Sequence, residues 1–385
     1  MVIRDSIALL TLLLITLALF TATLFLFRSF TDLRSRLSQR WLVRGEAAIH
    51  SGHPGLAVED LRSALAYSPG QRAIEVELAG ALADAGRTQE ATSYFNTLWE
   101  AEPGSGIINL QLARLAARQN NQASALEHYR SSIYGSWEGD GTVRRREVRF
   151  ELINYLIGIR HGDQARSELL IASGNAPDDP SLKIQIAQLM EKAGDPADAA
   201  QIYKAILQRG TPNLAALGGA GRTSFALGNY ALSRDYLEKA LNHPGASRQS
   251  VQARQDIRDL LEEAVQTLLL YPSPALSSRA QAERTLRDRN LVFQRLKACN
   301  IPLPGESGGR PPDPAMAAAL AEWNQLPIGP KLTVPMLQKD EALRHSVIQL
   351  VYQTDRAAEK PCGPSTGENA LLSRIAKNPG AVEAQ

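Results

Sequence analysis

The side chains best suited to recognise a partner are three arginines and an asparagine: Arg114, Arg118, Arg222 and Asn154. A guanidinium donates paired, charge-assisted hydrogen bonds to a carboxylate, so a set of this kind predicts a clamp for an acidic side chain or a C-terminal carboxylate of a partner. The alternative is that the four are ordinary solvated side chains. The choice depends on the elements that position them.

Signatures of catalysis do not accompany these residues. The sequence has no C-x-x-C, H-E-x-x-H, G-x-S-x-G, phosphate-binding loop or dinucleotide fingerprint. His50 and His53 lack the further ligands that a metal site needs and are interpreted as part of a solvated turn. The GGAG stretch at residues 218–221 lies within a predicted helix and is interpreted as a packing contact. We therefore expect no enzyme activity, no cofactor and no metal ion.

Cys299 and Cys362 are the only cysteines. An even pair of this kind could form a disulfide in an oxidising compartment. Two buried free thiols are the interpretation favoured here, and the disulfide stays open.

The composition favours an α-helical fold and gives no indication of nucleic-acid binding. The chain has 385 residues, 44% of them apolar and 6% aromatic, with a net charge of +2. Ala, Leu, Arg, Glu and Gln are helix-forming residues, and a nearly balanced charge gives no basic footprint for a nucleic acid.

The N-terminus predicts a membrane anchor. Residues 6–27 contain no charge, Pro or Gly. At 1.5 Å per residue they reach about 33 Å, enough to cross a hydrocarbon core of about 30 Å. A cleaved signal peptide usually has a shorter apolar region and a small-residue cleavage site, and a core helix would have a polar stripe. We predict a retained single-pass anchor whose helix continues without a break to about Ser51.

Charge flanking the span favours a cytoplasmic location for the rest of the chain. Arg28, Arg34, Arg36 and Arg40 follow the span, whereas Arg4 precedes it. The positive-inside rule then places residues after the span in the cytoplasm. A periplasmic location stays open, because an oxidised cysteine pair would favour it.

A sequence repeat follows the anchor. Ala57, Ala91 and Ala125 recur at a constant interval of about 34 residues, the length of a helix–turn–helix repeat unit. Ala165, Ala199 and Ser233 continue the series after a six-residue insertion in the loop at residues 135–142. Four residues after each small residue comes a large one: Leu61, Phe95, Tyr129, Leu169, Tyr203 and Leu237. Gly86, Gly194 and Gly228 mark turns between helices.

This pattern closely resembles the tetratricopeptide-repeat (TPR) family, whose repeat has the same period. The resemblance covers residues 38–245, six units, and implies an all-α solenoid of helix pairs that binds other proteins. The fourth unit departs from the pattern with Ile153 where a small residue is usual, and the sixth departs with Ser233 and an early Pro244. An anchored TPR chain is also similar to bacterial lipopolysaccharide-assembly regulators, but two cysteines cannot build the metal domain of those proteins. The bacterial inner membrane is the expected location.

The predicted organisation is an anchor and stalk (1–37), six TPR units (38–245), degenerate capping helices (246–300), a Pro/Gly-rich linker (301–314) and a C-terminal helical region (315–385). Helices are expected at residues 315–326, 336–358 and 368–377. Whether this last region folds back on the capping helices is left open.

The resemblance implies that the first helix of each unit lines a concave face. Helical spacing then places seven residues on or beside that face as candidate partner-binding residues. They are Arg114, Arg118, Phe150, Asn154, Gln188, Glu191 and Arg222. The predicted function is a membrane-anchored TPR scaffold or adaptor for protein or peptide partners, with a subunit of an envelope assembly or secretion complex as the alternative.

Overall fold

The computed structural model describes residues 2–210, 212–306, 308, 311–326 and 331–377, and the side chains from residue 13 onwards. The break predicted at residues 327–330, part of the 301–314 linker and the C-terminal residues 378–385 lie outside the described residues. The described part is almost entirely helical, and no strand occurs in it.

The first helix, α1, spans Val2–His50, as the uninterrupted sequence predicts. Its apolar stretch is exposed, with Phe25 at 71% and Leu26 at 67%. The hydroxyls of Thr16 and Thr21 donate to the Leu13 and Ala18 carbonyls, so these polar groups are satisfied within the helix. Gly52, with a φ of +73°, ends the element.

The chain divides into two compact units, Met1–Tyr155 and Leu156–Gln385. The first contains α1 and a series of helices joined by short turns, which makes successive helices antiparallel neighbours. These helices are α2 (Pro54–Tyr67), α3 (Arg72–Asp84), α4 (Thr88–Ala101), α5 (Gly106–Arg118), α6 (Gln122–Tyr134) and α7 (Gly141–Gly158), which extends past the boundary of the unit.

Small residues allow the helices of a pair to approach closely. Ala57, Ala91 and Ala125 have no exposed surface. A Cβ added to Gly45 would lie 2.7 Å from Leu61, too close for any other residue without displacement of the leucine. Leu61 and Phe95 are fully buried beside these contacts, so the predicted small and large positions both lie in the core.

The insertion between the third and fourth helix pairs folds back on the third pair. The backbone N–H groups of Gly106 and Ser136 donate to the carbonyls of Ser136 and Gly104, each at 2.8 Å. Trp137 packs directly on Gly106 and donates its indole N–H to the Ser132 carbonyl at 2.9 Å. The predicted loop is therefore an ordered strap, and α7 begins at Gly141 within the predicted loop range.

The second unit continues the helix pairs and adds a C-terminal bundle. Its helices are α8 (Gly162–Gly174), α9 (Pro180–Lys192), α10 (Pro196–Leu207), α11 (Leu214–Ala226), α12 (Tyr230–Leu241), a 3₁₀ turn (Pro244–Arg248), α13 (Val251–Leu270), α14 (Ser278–Ala298), α15 (Pro314–Gln325), α16 (Val334–Lys339), α17 (Glu341–Cys362) and α18 (Glu368–Lys377). The turns at Gly194 and Gly228 have φ values of +81° and +82°, and that at Gly86 in the first unit has +75°.

The C-terminal helices fold back on the capping helices, which the sequence left open. A shared core contains Leu270 of α13, Leu296 of α14, Trp323 of α15 and Val351 of α17. The helix predicted at residues 336–358 is two helices, because Asp340 ends α16 and caps α17 by accepting from the Leu343 N–H. The predicted domain boundaries within this unit stay predictions.

The expectation of two free thiols is wrong. Cys299 and Cys362 form a disulfide that joins the chain just after α14 to the end of α17. Beside it, Arg295 donates to Asp355 at 2.7 Å, with both side chains buried, and Ser373 donates to the other oxygen of Asp355 at 2.5 Å. The C-terminal bundle is therefore tied by a covalent bond and a buried ion pair.

Candidate functional site

A groove of about 860 Å³ lies in the first unit on the faces of α3, α5 and α7, with the strap at residues 135–140 along one side. Its wall includes apolar side chains from several elements: Ile49, Val76, Ile107, Leu110, Trp137 and Val148. Gly80 of α3 also lines the groove, and a Cβ added there would meet nothing within 4 Å. The first helix of each pair lines the cavity, as the repeat implies.

Arg114 lies in this groove but its guanidinium is already engaged. It donates to both oxygens of Glu151, at 2.8 and 2.7 Å, and the Tyr129 hydroxyl donates to Glu151 at 2.9 Å. Burial raises the pKa of Glu151, but the hydrogen bonds and charge of Arg114 outweigh it, so that the pKa lies below its ordinary value. Burial and the Glu151 charge raise the pKa of Tyr129, which stays a neutral donor.

The other predicted groove residues of the first unit differ in role. Arg118 lines the groove and is paired with Asp84 at 2.8 Å. Asn154 donates to the Phe150 carbonyl at 2.8 Å and is exposed, and Phe150 is half-buried. Arg114 and Arg118, two of the three arginines of the predicted clamp, therefore each hold a carboxylate of the chain itself.

In the second unit Arg222 makes a similar set of contacts, with Glu191 at a different repeat position from Glu151. Its guanidinium donates to both oxygens of Glu191, at 3.0 and 3.1 Å, and the Tyr203 hydroxyl donates to Glu191 at 2.6 Å. Burial lowers the pKa of Arg222, but its hydrogen bonds to Glu191 more than offset this, so that the pKa is raised. Gln188 is exposed on the same helix as Glu191, α9.

Each of these two carboxylates, Glu151 and Glu191, is held by one arginine and one tyrosine. The sequence contained a signal for these Arg–Glu–Tyr groups that a search for arginine clamps alone does not use. Tyr129 and Tyr203 occupy the same repeat position as the wholly apolar Leu61 and Phe95. A hydroxyl in a core position needs a hydrogen-bond partner, and that requirement points to a nearby carboxylate. Glu151 and Glu191 are those partners.

The remaining arginines of the groove are also paired. Arg72 contacts Glu102 at 2.8 Å and Glu138 at 3.5 Å, and Arg144 contacts Glu147 at 3.3 Å. The lining thus has four arginines, Arg72, Arg114, Arg118 and Arg144, and six acidic residues, Glu77, Asp84, Glu102, Glu138, Glu147 and Glu151. The groove carries an excess of negative charge.

Glu77 is the acidic lining residue without an arginine partner among the described residues. Its Oε2 atom is buried and accepts no hydrogen bond from them. Burial raises the pKa of this carboxyl, nearby Glu46 raises it further, and His50 lowers it in part. No cluster of three or more His, Cys, Asp or Glu side chains suited to a metal ion occurs in the described part of the chain.

Helix pairs that recur at a constant interval, with a groove on the first helices, define an α-helical repeat protein. Tetratricopeptide-repeat family models match residues 48–105, 77–140 and 184–250. The chain therefore contains tetratricopeptide repeats over these residues.

Solved structures of TPR proteins resemble it at low identity. Pseudomonas aeruginosa PilF is 16% identical, with 59% of this chain and 98% of PilF covered at a TM-score of 0.39. PilW, a type IV pilus biogenesis factor, is 15% identical, with 57% of this chain and 98% of PilW covered at a TM-score of 0.40. YrrB, a TPR protein with an unusual peptide-binding site, is 13% identical, with 52% of this chain and 99% of YrrB covered at a TM-score of 0.38.

Because these three TM-scores are below 0.5, the assignment of the repeats rests on the family models and the helix pairs. None of the curated proteins matches the chain.

Proposed function

We propose that this chain is a membrane-anchored scaffold that holds an extended segment of a partner protein in the groove of its first unit. The groove itself is the observation that carries the proposal: an apolar wall bordered by paired charges on the first-helix faces. Three first helices spaced about 10 Å apart span about 20 Å, the length of about six extended residues. The proposal assigns the chain no catalytic step.

The membrane part of the proposal rests on α1. The helix is long and apolar enough to cross a bilayer, a test that a signal sequence at the same place would also pass. Arg34 donates from Nε to the Tyr67 carbonyl at 3.0 Å, and Ser38 donates to the Ala64 carbonyl at 3.0 Å. These bonds attach α1 to the first repeat, so the proposed anchor and the first helix pair form one piece.

The same helix sets the distance of the groove from the membrane. Ile49 lines the groove and lies on α1. It is separated from Phe27, the proposed end of the span, by about 33 Å of helix at 1.5 Å per residue. A partner segment bound in the groove is therefore held within reach of the membrane surface.

To test the groove, a photo-crosslinking amino acid is placed at Gly80 and, as a control, at the exposed Arg130 of α6. The proposal expects a discrete crosslinked protein in cells from position 80 and none from position 130. Crosslinking from 130 alone would place the partner on another face. Release of the full-length chain by carbonate extraction would contradict the anchor.

A second candidate is a subunit of an envelope assembly or secretion complex, with the repeats on the oxidising side of the membrane. The Cys299–Cys362 disulfide favours this compartment, because disulfides are rare in the cytosol. The arginines after the span favour the cytoplasm instead. We give the disulfide more weight, because it is a specific bond and the charge rule is a statistical preference.

Thiol labelling in whole cells decides the compartment. If the pair is oxidised, a maleimide–polyethylene glycol reagent shifts the denatured protein only after reduction. A C-terminal alkaline phosphatase fusion would then be active. Labelling of both cysteines without reduction, with an inactive fusion, would return the repeats to the cytoplasm.

A further inference from the structure

The environment of Glu77 is best understood by comparison with the equivalent residue two repeats later. Glu77 and Glu151 both lie fourteen residues before the small residue of their unit, Ala91 and Ala165. Both carboxylates line the same groove. They therefore occupy the same repeat position in two helices of one surface.

Their neighbours at equivalent positions have opposite character. Glu151 is bonded by Arg114 and Tyr129. The residues two repeats before these are Glu46 and Leu61, respectively. Glu77 therefore has a second carboxylate where Glu151 has its guanidinium, and a methyl group where Glu151 has its hydroxyl donor.

The other acidic residues of the groove lining are paired with arginines, so within the described lining the lack of an arginine partner is particular to Glu77. The four arginines of the lining hold the other five acidic residues, and Arg72 serves both Glu102 and Glu138. None is left for Glu77, whose Oε2 atom is buried without a hydrogen bond from the described residues. A buried carboxylate oxygen without a donor is unfavourable, and a ligand that supplies one gains the bond.

The space for such a ligand is present. Gly80, one turn from Glu77 on α3, leaves open space in the groove. Val76 and Ile107 provide apolar surface beside it for the aliphatic part of a long side chain.

We infer that the groove recognises an extended peptide segment with a basic side chain, and that Glu77, supported by Glu46, binds the cation where a guanidinium of the chain binds Glu151. The inference rests on the proposed peptide-binding function and adds the charge of the ligand. It differs from the acidic ligand that the arginines by themselves predict, because Arg114 and Arg118 are already paired within the chain.

The probes are fluorescein-labelled nonapeptides of one background sequence with Arg, citrulline or Glu at the central position. Citrulline keeps the shape of arginine without its charge. Binding to the full-length protein in detergent micelles is followed by fluorescence anisotropy. We expect the Arg peptide to bind about tenfold tighter or more than the citrulline peptide, because one charged hydrogen-bonded contact distinguishes them.

Substitutions assign that preference to Glu77. Glu77→Gln is expected to bring the Arg and citrulline peptides to equal affinity without weakening the citrulline peptide. The control Glu100→Gln, at an exposed position on α4, should keep the preference. Glu46→Arg places a guanidinium where the repeat has Arg114, so it should pair with Glu77 and abolish the preference in a folded protein.

The outcomes separate this inference from the proposed function. Equal binding of the Arg and citrulline peptides to the unmodified protein, or preference for the Glu peptide, would overturn the basic ligand and leave the groove proposal in place. Gly80→Trp fills the groove and should weaken every peptide. Undiminished binding to that variant, or no binding of any peptide to the unmodified protein, would overturn both.

Discussion

The helical repeats and the C-terminal bundle, α13–α18, are both built of helices, but contacts of different range hold them together. In the repeats the close contacts are local: Gly45 meets Leu61, and Gly221 meets Leu237, each within half a repeat of chain. In the bundle the ion pair Arg295–Asp355 joins residues 60 apart, and the disulfide joins residues 63 apart. Local contacts recur with the repeat, whereas each long-range contact is unique to its place.

A buried ion pair should be the most sensitive point of the bundle. Arg295→Met leaves Asp355 buried with only the Ser373 hydroxyl as a donor, and it also removes the donor to the Gly363 carbonyl. Loss of one partner of a buried pair costs about 3–5 kcal/mol. Hydrogen exchange should show the loss of protection in α14 and α17.

The double variant Arg295→Met with Asp355→Leu serves as the control for this prediction. It should recover most of the lost stability, because it removes the unpaired charge. Unchanged protection in the single variant would mean that the pair contributes nothing to the bundle.

Loss of the disulfide should give the next largest loss of stability. Reduction, or Cys299→Ser with Cys362→Ser, reopens a loop of 63 residues in the unfolded state and should destabilise the bundle by about 2–4 kcal/mol. The same treatment should leave hydrogen exchange in α2–α6 unchanged. Equal losses in both regions would show that the two are not stabilised separately.

In the repeats a single enlarged small residue should give a smaller effect. Ala91→Leu introduces a bulky side chain at a position with no exposed surface, and overpacking costs about 1–3 kcal/mol. The exposed Ala101 of the same helix, α4, provides the control Ala101→Leu. If the two variants had the same midpoint of urea unfolding, the position of Ala91 in the repeat frame would be wrong.

The smallest expected effect is a gain. Asp288 in α14 is fully buried, and neither of its carboxylate oxygens has a hydrogen-bond partner among the described residues. Burial raises its pKa well above the ordinary value, although Arg287 and Arg284 lower it in part. The folded state therefore holds the proton more tightly than the unfolded chain, and stability falls as the pH rises above the ordinary value for Asp, about 3.9.

The variant Asp288→Asn removes this cost. Near pH 7 it should be more stable than the unmodified protein by about 1 kcal/mol or more, a rise in Tm of about 2–4 °C. Below pH 4 the two should become equal, because both are then neutral at this position. A Tm difference that does not change with pH would contradict the assigned protonation of Asp288.

The sequence predicted the repeated part of the fold well and the site in part. The positions of Ala91, Gly86 and Gly228 are all as the repeat period requires. Arg114 and Arg118 do line a groove. Their pairing with Glu151 and Asp84 was not predicted, because an arginine on a helix face reaches several carboxylates and only the packed structure selects one.

The sequence by itself determined the features that depend on neighbours along the chain: the continuous helix α1, the spacing of the helix pairs and the glycine turns. Their physical causes, helix propensity, small residues at close contacts and positive φ, act over one repeat or less. Only the tertiary structure decided which charges pair, that Glu77 has no arginine partner among the described residues, and that Cys299 meets Cys362. Those outcomes depend on which surfaces pack together, and no period in the sequence encodes contacts that are made once between distant parts of the chain.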